Sequence, residues 1–215
     1  MVKIAPSLLS ANPACLGEEV KKLEQAKADL LHFDVMDGHF VPNMTFGPMF
    51  LNSLKQCTNL AFDVHLMVNN PERFIPWYAK AGADVITFHL EATENPDDLI
   101  ALIKEHGIKA GISLKPKTDM NILSQLKQQP DLFLVMGVEP GFGGQTFIDD
   151  TPQRIKEVRQ LLDNPHLIVE VDGGINPETA KISVNAGADI LVAGTAVFKN
   201  GDYKKNILTL KGDGL

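Results

Sequence analysis

Side chains that can bind a metal ion end three short apolar segments of this 215-residue chain. His32 and Asp34 are two residues apart in the first segment, so on a β-strand both point to the same face. His65 lies near the end of the second segment, and Asp172 ends the third. Imidazole and carboxylate ligands together suit Zn, Fe(II), Mn or Co, whereas Mg and Ca prefer oxygen ligands. These four side chains therefore suggest a site for one divalent metal ion.

The elements that must position these side chains form a regular pattern. Short apolar runs alternate with longer segments of helical period along the whole chain, which is typical of βα units around a parallel sheet. Eight units can be counted, with helices filling the gaps between strands. The sequence therefore predicts one α/β domain over residues 1–215, a single (β/α)8 or TIM barrel. The predicted strands are Val2–Ala5, Leu30–Asp34, Leu60–Leu66, Val85–His89, Ala110–Leu114, Leu132–Met136, Leu167–Val171 and Ile190–Ala193.

A weak internal repeat supports the barrel. In each copy a small residue closes a helix and an Asp leads into the next strand, and Gly82 and Gly187 suit the left-handed end of a helix. The three copies are Ala26-Lys27-Ala28-Asp29, Ala81-Gly82-Ala83-Asp84 and Ala186-Gly187-Ala188-Asp189.

The polar residues of the suggested site all lie at one end of the predicted barrel. Ser7 follows the first strand, and Asp172 follows the seventh. His32 and Asp34 end the second strand, and His65 ends the third. Chemistry in such barrels takes place at the carboxyl ends of the strands, where the βα loops converge. A lone histidine or an Asp before Gly is usually an ordinary core or turn residue, but their convergence indicates a ligand set.

Other residues near the strand ends have two interpretations each. Met36, Met67 and Met136 either form an apolar lining that keeps water from the ion or simply fill the core. His89 and Glu91 either support the ligands or belong to an ordinary polar rim.

Asp63 shares a strand face with His65, and its depth in the barrel is expected to place it below the site.

Glycine-rich loops follow the last three predicted strands. Glycines allow backbone N–H groups to approach an oxyanion closely, although such loops are often only flexible connections. The loops after strands seven and eight of a barrel are the usual phosphate site, and Gly194 with Thr195 opens a helix there. We predict that the three loops bind one phosphate. They contain Gly141, Phe142, Gly143 and Gly144, then Asp172, Gly173 and Gly174, then Gly194 and Thr195.

Composition excludes several classes of partner. The formal charge is −7 and no Lys/Arg-rich tract occurs, which argues against nucleic-acid binding. No apolar stretch approaches the roughly 18 residues of a spanning helix, and the N-terminus reads as a strand rather than a signal peptide. We therefore predict a cytoplasmic protein with a small-molecule substrate, no membrane contact and a possible homo-oligomeric state.

Several motifs occur together in the order found in one known family. They are Ala5–Ser10, Asp34–Asn43, Asp63–Val68, Val138–Gln145 and Val171–Ile175. On these motifs the chain resembles ribulose-phosphate 3-epimerase over essentially its full length. The resemblance implies a TIM barrel, a divalent metal ion and reversible conversion of D-ribulose 5-phosphate to D-xylulose 5-phosphate. Two departures are visible, because Gly137 stands where a hydroxyl residue is common and Thr195 where Ser is frequent.

The resemblance also implies a role for each matching residue. His32, Asp34, His65 and Asp172 are the implied metal ligands, with Asp34 the proton acceptor and Asp172 the proton donor. Ser7 and His65 are implied to contact the substrate. The implied contacts to the sugar phosphate are Gly141, Phe142, Gly143, Gly144, Asp172, Gly173, Gly174, Gly194 and Thr195.

Three alternatives stay open at this point. One is 3-epimerisation of a six-carbon ketose phosphate such as D-allulose 6-phosphate at the same site. A second is decarboxylation or aldol cleavage, which usually demands a reactive lysine that the segment from Asp34 to Asp37 lacks. The third is a phosphosugar-binding barrel without turnover.

Overall fold

Eight β-strands form a nearly closed barrel in the computed structural model, which describes residues 1–212. The strands are β1 (Lys3–Pro6), β2 (Leu30–Met36), β3 (Ala61–Met67), β4 (Val85–His89), β5 (Lys109–Leu114), β6 (Leu132–Met136), β7 (Ile168–Asp172) and β8 (Ile190–Ala193). All neighbouring pairs are parallel, in the order β1-β8-β7-β6-β5-β4-β3-β2. A parallel bridge from Ser7 to His32 joins β1 to β2. The single-domain TIM barrel predicted from the sequence is confirmed.

Helices follow most strands. They are α1 (Leu16–Gln25), α2 (Pro48–Leu54), α3 (Ile75–Ala81), α4 (Pro96–Glu105), α5 (Thr151–Leu161), α6 (Pro177–Ala186), α7 (Thr195–Phe198) and α8 (Tyr203–Lys211). The gap between β5 and β6 differs from the prediction, because it carries a 3-10 helix, Met120–Gln125. Buried Met120 and Leu123 are three residues apart, a spacing that a 3-10 helix places on one face. Among residues 1–212, no helix is long and apolar enough to cross a membrane.

The repeated Asp joins neighbouring strands through a side-chain hydrogen bond to the backbone, which the sequence pattern alone did not predict. Each such Asp precedes an even-numbered strand and accepts a hydrogen bond from a backbone N–H near the start of the preceding odd-numbered strand. The pairs are Asp29 with Ile4 (2.8 Å), Asp84 with Phe62 (2.8 Å) and Asp189 with Val169 (2.8 Å). Asp131, which lies outside the three copies of the repeat, pairs in the same way with Ala110 (2.9 Å). Gly82 and Gly187 end their helices with φ of 102° and 112°, as the repeat predicted.

Alternation along each strand separates two layers. In β2, Leu31 and Phe33 belong to the core between barrel and helices, whereas His32 and Asp34 point into the barrel. A second apolar cluster lies inside the barrel with these polar groups. It consists of Ala5, Leu30, Val85, Leu132, Leu134, Met136, Val138, Ile190 and Val192. Apolar side chains therefore share the barrel interior with the polar site.

Candidate active site

The structure brings the four predicted metal ligands together from β2, β3 and β7. His32 Nε2 lies 3.4 Å from His65 Nδ1, 3.4 Å from Asp34 Oδ1 and 3.8 Å from Asp172 Oδ2. His65 Nδ1 lies 3.5 Å from Asp34 Oδ1 and 3.8 Å from Asp172 Oδ2. The four donor atoms lie within 4.8 Å of one another. Two carboxylates and two imidazole nitrogens thus surround one point inside the barrel mouth.

The spacing of these donors fits a metal ion. Ligands about 2.0–2.2 Å from a tetrahedral ion lie about 3.4 Å apart, close to the separations found here. Two carboxylates held this close together also repel each other unless a cation or a proton lies between them. The donor set is therefore able to bind a metal ion.

Asp63 fixes the orientation of His32. Its Oδ2 lies 2.6 Å from His32 Nδ1, and both side chains are fully buried. When Nδ1 donates its proton to Asp63, Nε2 keeps its lone pair and faces the other donors. Asp63 lies below the site, as predicted from its position in β3, and it supports a ligand from there.

Glu170 is a buried carboxyl group that sequence reasoning missed. It is fully buried in β7, and neither carboxyl oxygen has a hydrogen-bond partner. Burial raises the pKa of Glu170 well above its ordinary value, and the nearby Asp63 adds to the rise. A signal was available, because Glu170 precedes Asp172 by two residues and so shares its strand face, as Asp63 does with His65.

The two carboxyl groups at the barrel mouth have opposite electrostatic environments. Burial raises the pKa of Asp172 to about 7, where Asp34 and Asp63 add to the rise and His32 opposes it. Burial also favours a raised pKa for Asp34, but His32 and His65 outweigh it and hold that pKa well below its ordinary value. Asp34 is therefore the ionised member of the pair and Asp172 the more readily protonated one.

Ser7 contacts the ionised member. Its Oγ donates a hydrogen bond of 2.6 Å to Asp34 Oδ2, the oxygen that does not face the histidines. The same Oγ accepts a 3.3 Å hydrogen bond from the Leu9 N–H. Ser7 thereby fixes the rotamer of Asp34.

A cavity of about 180 Å³ opens above these carboxylates. Ser7, Asp34 and Asp172 line it, and so do Met36, Met67 and Met136, for which the sequence left both a lining and a core-filling role open. All three glycine-rich loops also reach it. Their lining residues include Gly141, Phe142, Gly143, Gly144, Gly173, Gly174, Gly194 and Thr195.

The two histidines of the donor set do not line that cavity. His32 and His65 are fully buried behind the carboxylates. The predicted contact of His65 with substrate therefore stays a prediction.

Glycine is required where the loops after β6 and β7 meet. Gly174 has a φ of +67°, and a Cβ there would lie 2.6 Å from the Phe147 Cα. Gly173, with φ of +108°, would collide with Val138 if it carried a side chain. Only residues without Cβ allow the two loops to approach so closely.

Two amide side chains hold the long loop after β6. Asn43 Nδ2 donates to the Gly141 carbonyl oxygen at 2.8 Å, which joins this loop to the one after β2. Gln145 Nε2 donates to the carbonyl oxygens of Glu139 at 2.7 Å and Phe142 at 2.8 Å. Ser10, which the sequence analysis did not single out, also lines the cavity and contacts the position where Gly194 would carry a Cβ.

His89 does not belong to an exposed rim, which was one of its two interpretations. It is fully buried at the end of β4, and its Nε2 lies 2.8 Å from Nε2 of His65. Burial lowers the pKa of His89 to about 4, so its ring is neutral near neutral pH. Burial also favours a raised pKa for Glu91, but the neighbouring His89 ring and a hydrogen bond from Thr118 hold that pKa at about 2.

The fold and the site together define a class of protein. Acid/base carboxyl groups, a ligand set for a cation and three glycine-rich loops meet at the carboxyl ends of barrel strands, where TIM-barrel enzymes have their active sites. The molecule is a TIM barrel with an enzyme-like site at the carboxyl ends of its strands.

Comparison with known proteins assigns the chain to a family. Residues 3–198 match the model of the Ribulose-phosphate 3 epimerase family. The ribulose-phosphate 3-epimerase of Bacillus subtilis is 48% identical over 215 residues, covering 99% of each chain. The ribulose-phosphate 3-epimerase of Escherichia coli is 47% identical over 213 residues, covering 98% of this chain and 95% of the relative. The chain belongs to the ribulose-phosphate 3-epimerase family, and it is an enzyme.

A solved structure supports the fold independently. The crystal structure of 3-keto-L-gulonate-6-phosphate decarboxylase from Vibrio cholerae superposes with a TM-score of 0.76 at 14% identity. The match covers 99% of this chain and 96% of that one. At this level of identity the likeness concerns the fold alone.

Proposed function

We propose that this protein interconverts D-ribulose 5-phosphate and D-xylulose 5-phosphate by moving a proton at carbon 3. The observation that carries the proposal is the pair Asp34 and Asp172, which reach one cavity from β2 and β7 with opposite pKa shifts. Inversion next to a ketone needs one group that takes a proton from one face and another that returns a proton to the opposite face. An ionised and a protonated carboxyl group meet this need.

The chain's own residues suggest how the proton moves. Asp34, held by Ser7, accepts the proton from carbon 3 and leaves a planar enediolate. Asp172 then donates its proton to the other face, and the roles reverse in the opposite direction. Met36, Met67 and Met136 surround the reacting carbon with apolar surface, which limits exchange of the intermediate with water.

His32, Asp34, His65 and Asp172 are the residues proposed to hold one divalent cation. Their mixed nitrogen and oxygen donors favour Zn, Fe(II), Mn or Co. When bound, such an ion supplies a Lewis acid that stabilises negative charge on the substrate oxygens. Asp63 supports this assignment because it leaves the Nε2 lone pair of His32 free.

The proposed phosphate site lies at the other end of the cavity. The glycine loops after β6, β7 and β8 line it, and α7 begins there at Thr195. Backbone N–H groups in such loops are suitable donors to phosphate oxygens. Anchoring the phosphate there leaves carbon 3 to be placed between the two carboxyl groups.

The experiment that tests this function is NMR of D-ribulose 5-phosphate incubated with the protein in deuterium oxide. We expect D-xylulose 5-phosphate carrying deuterium at carbon 3. Product from D-allulose 6-phosphate alone would reassign the substrate to a six-carbon ketose phosphate. A folded, metal-loaded protein that binds both sugars and gives neither product nor exchange would indicate a binding barrel and contradict the proposal.

The phosphate group is expected to contribute strongly to turnover. Free D-ribulose should react with a kcat/KM about 10²- to 10⁴-fold lower, since two hydrogen bonds to a charged group contribute about 1.5–3 kcal/mol each. Steady-state kinetics on both sugars measures the difference. Equal kcat/KM values would show that the glycine loops do not bind phosphate.

Two glycine variants test whether the loop after β7 binds the phosphate group of the substrate. Gly174→Ala places a Cβ against Phe147 and should raise KM for the phosphorylated sugar. Gly107→Ala is the matched control, because Gly107 has a similar φ of +73° but open space around its Cβ position. The control should leave KM unchanged, and neither variant should alter the reaction of free D-ribulose much.

A further inference from the structure

The Nε2 atom of the proposed ligand His65 points away from the other ligands. It faces Nε2 of His89 at 2.8 Å, and both rings are fully buried and stacked with centroids 5.0 Å apart. Two ring nitrogens at this distance form a hydrogen bond only if one carries a proton and the other does not. The contact therefore links the tautomer of His65 to that of His89.

The geometry of the site selects one direction for this hydrogen bond. His65 Nδ1 faces the other three donors, so this nitrogen must hold a lone pair to bind a cation. The proton of His65 then lies on Nε2 and is donated to His89 Nε2. His89 in turn carries its proton on Nδ1. Glu91 Oε2 lies 3.6 Å from this nitrogen, beyond hydrogen-bonding distance but close enough for its negative charge to favour a proton there.

Glu91 is itself held firmly by the loop after β5. Its Oε1 accepts a 2.7 Å hydrogen bond from the Lys115 N–H and another from the Thr118 hydroxyl. Arg154, largely buried in α5, donates to the carbonyl oxygens of the same two residues at 3.3 Å and 3.2 Å. The carboxylate beside His89 Nδ1 thus has a fixed position.

Packing holds the ring of His89 as well. Phe40, from the loop after β2, lies against it with ring centroids 4.9 Å apart. The Lys115 ammonium lies 4.0 Å from the centre of the Phe40 ring. His89 therefore cannot swing away from His65 without moving two loops.

We infer that His89 is a positioning residue for the metal centre: it accepts the Nε2 proton of His65, with Glu91 as its outer anchor, and so keeps Nδ1 of His65 free for the cation. This inference rests on the proposed metal site. It assigns to β4 and the loop after β5 a part in metal binding, although neither supplies a ligand.

The test is titration of the metal-free protein with Co²⁺, followed by visible absorbance and by competition with a chelator. Loss of a group that orients a ligand typically weakens metal binding about 10- to 100-fold, which is the effect expected for His89→Leu. His89→Gln restores an acceptor near the former Nε2 and should recover most of the affinity. The matched control Thr87→Val, at a buried neighbouring β4 position whose hydroxyl has no partner, should bind Co²⁺ like the wild type.

Glu91→Gln removes the negative charge beside His89 Nδ1 and tests the same arrangement if His89→Leu does not fold. Its affinity for Co²⁺ should lie between that of the wild type and that of His89→Leu. Wild-type Co²⁺ affinity in both His89→Leu and Glu91→Gln would overturn the inference, as would His89→Gln as weak as His89→Leu. If the wild type itself binds no Co²⁺, the proposed metal site is wrong. If the wild type binds Co²⁺ and the variants bind it equally well, only the role of His89 is wrong.

Discussion

Asp34→Asn and Asp172→Asn are each expected to lower kcat about 10²- to 10⁴-fold, the usual contribution of a single acid or base group. Asparagine keeps the size of the side chain but neither takes nor returns the proton at carbon 3. At position 34 the amide oxygen can still accept the hydrogen bond from Ser7. The fold should persist, because each change removes one of the buried carboxylates that repel each other. Steady-state kinetics at saturating metal measures the loss.

The two variants should differ in hydrogen exchange. Asp172→Asn retains Asp34 and should still exchange the carbon 3 hydrogen of D-ribulose 5-phosphate in deuterium oxide without forming the epimer. Asp34→Asn retains Asp172 and should instead exchange the carbon 3 hydrogen of D-xylulose 5-phosphate only. Asp163→Asn, an exposed position, is the control and should be fully active. Near-normal turnover in either active-site variant would refute the role of that residue.

Removal of the divalent cation is expected to abolish turnover, with the loss reversed when Zn, Mn, Co or Fe(II) is added back. An ion bound at the proposed site would stabilise charge in the transition state by several kcal/mol, so a loss of about 10³-fold or more is expected. Binding of the cation should also raise the free energy of unfolding. At a free metal concentration about 100 times Kd the gain is about 2.7 kcal/mol, a rise in Tm of about 5–10 °C.

Histidine variants show whether the ion acts at this site. His32→Gln should lose both the metal-dependent rise in Tm and the activity, whereas His166→Gln, an exposed control, should keep both. Thermal unfolding with and without metal measures the first effect and the epimerase assay the second. Full activity in a chelated, metal-free protein would contradict the assignment.

The repeat and the strand ends could be predicted from the sequence because each depends only on residues close together in the chain. Short apolar runs between segments of helical period identified the strands, and β4, β6 and β8 begin and end at the predicted residues. The exception between β5 and β6 arose because a three-residue spacing of buried side chains does not distinguish a 3-10 helix from the first turns of an α-helix. The structure likewise gathers the predicted ligands, because parallel strands bring their carboxyl ends to one edge.

The barrel, the four candidate ligands and the three glycine loops follow from the sequence alone, since each depends on spacing within one segment and on the common direction of the strands. The depth of Asp63 also followed from its strand position, but the partners of the ligands emerge only in the fold. Asp63 and Glu170 approach His32, and His89 approaches His65, through contacts between different strands that no single segment specifies. The opposite pKa shifts of Asp34 and Asp172 have the same origin, because burial and neighbouring charges act through space rather than along the chain.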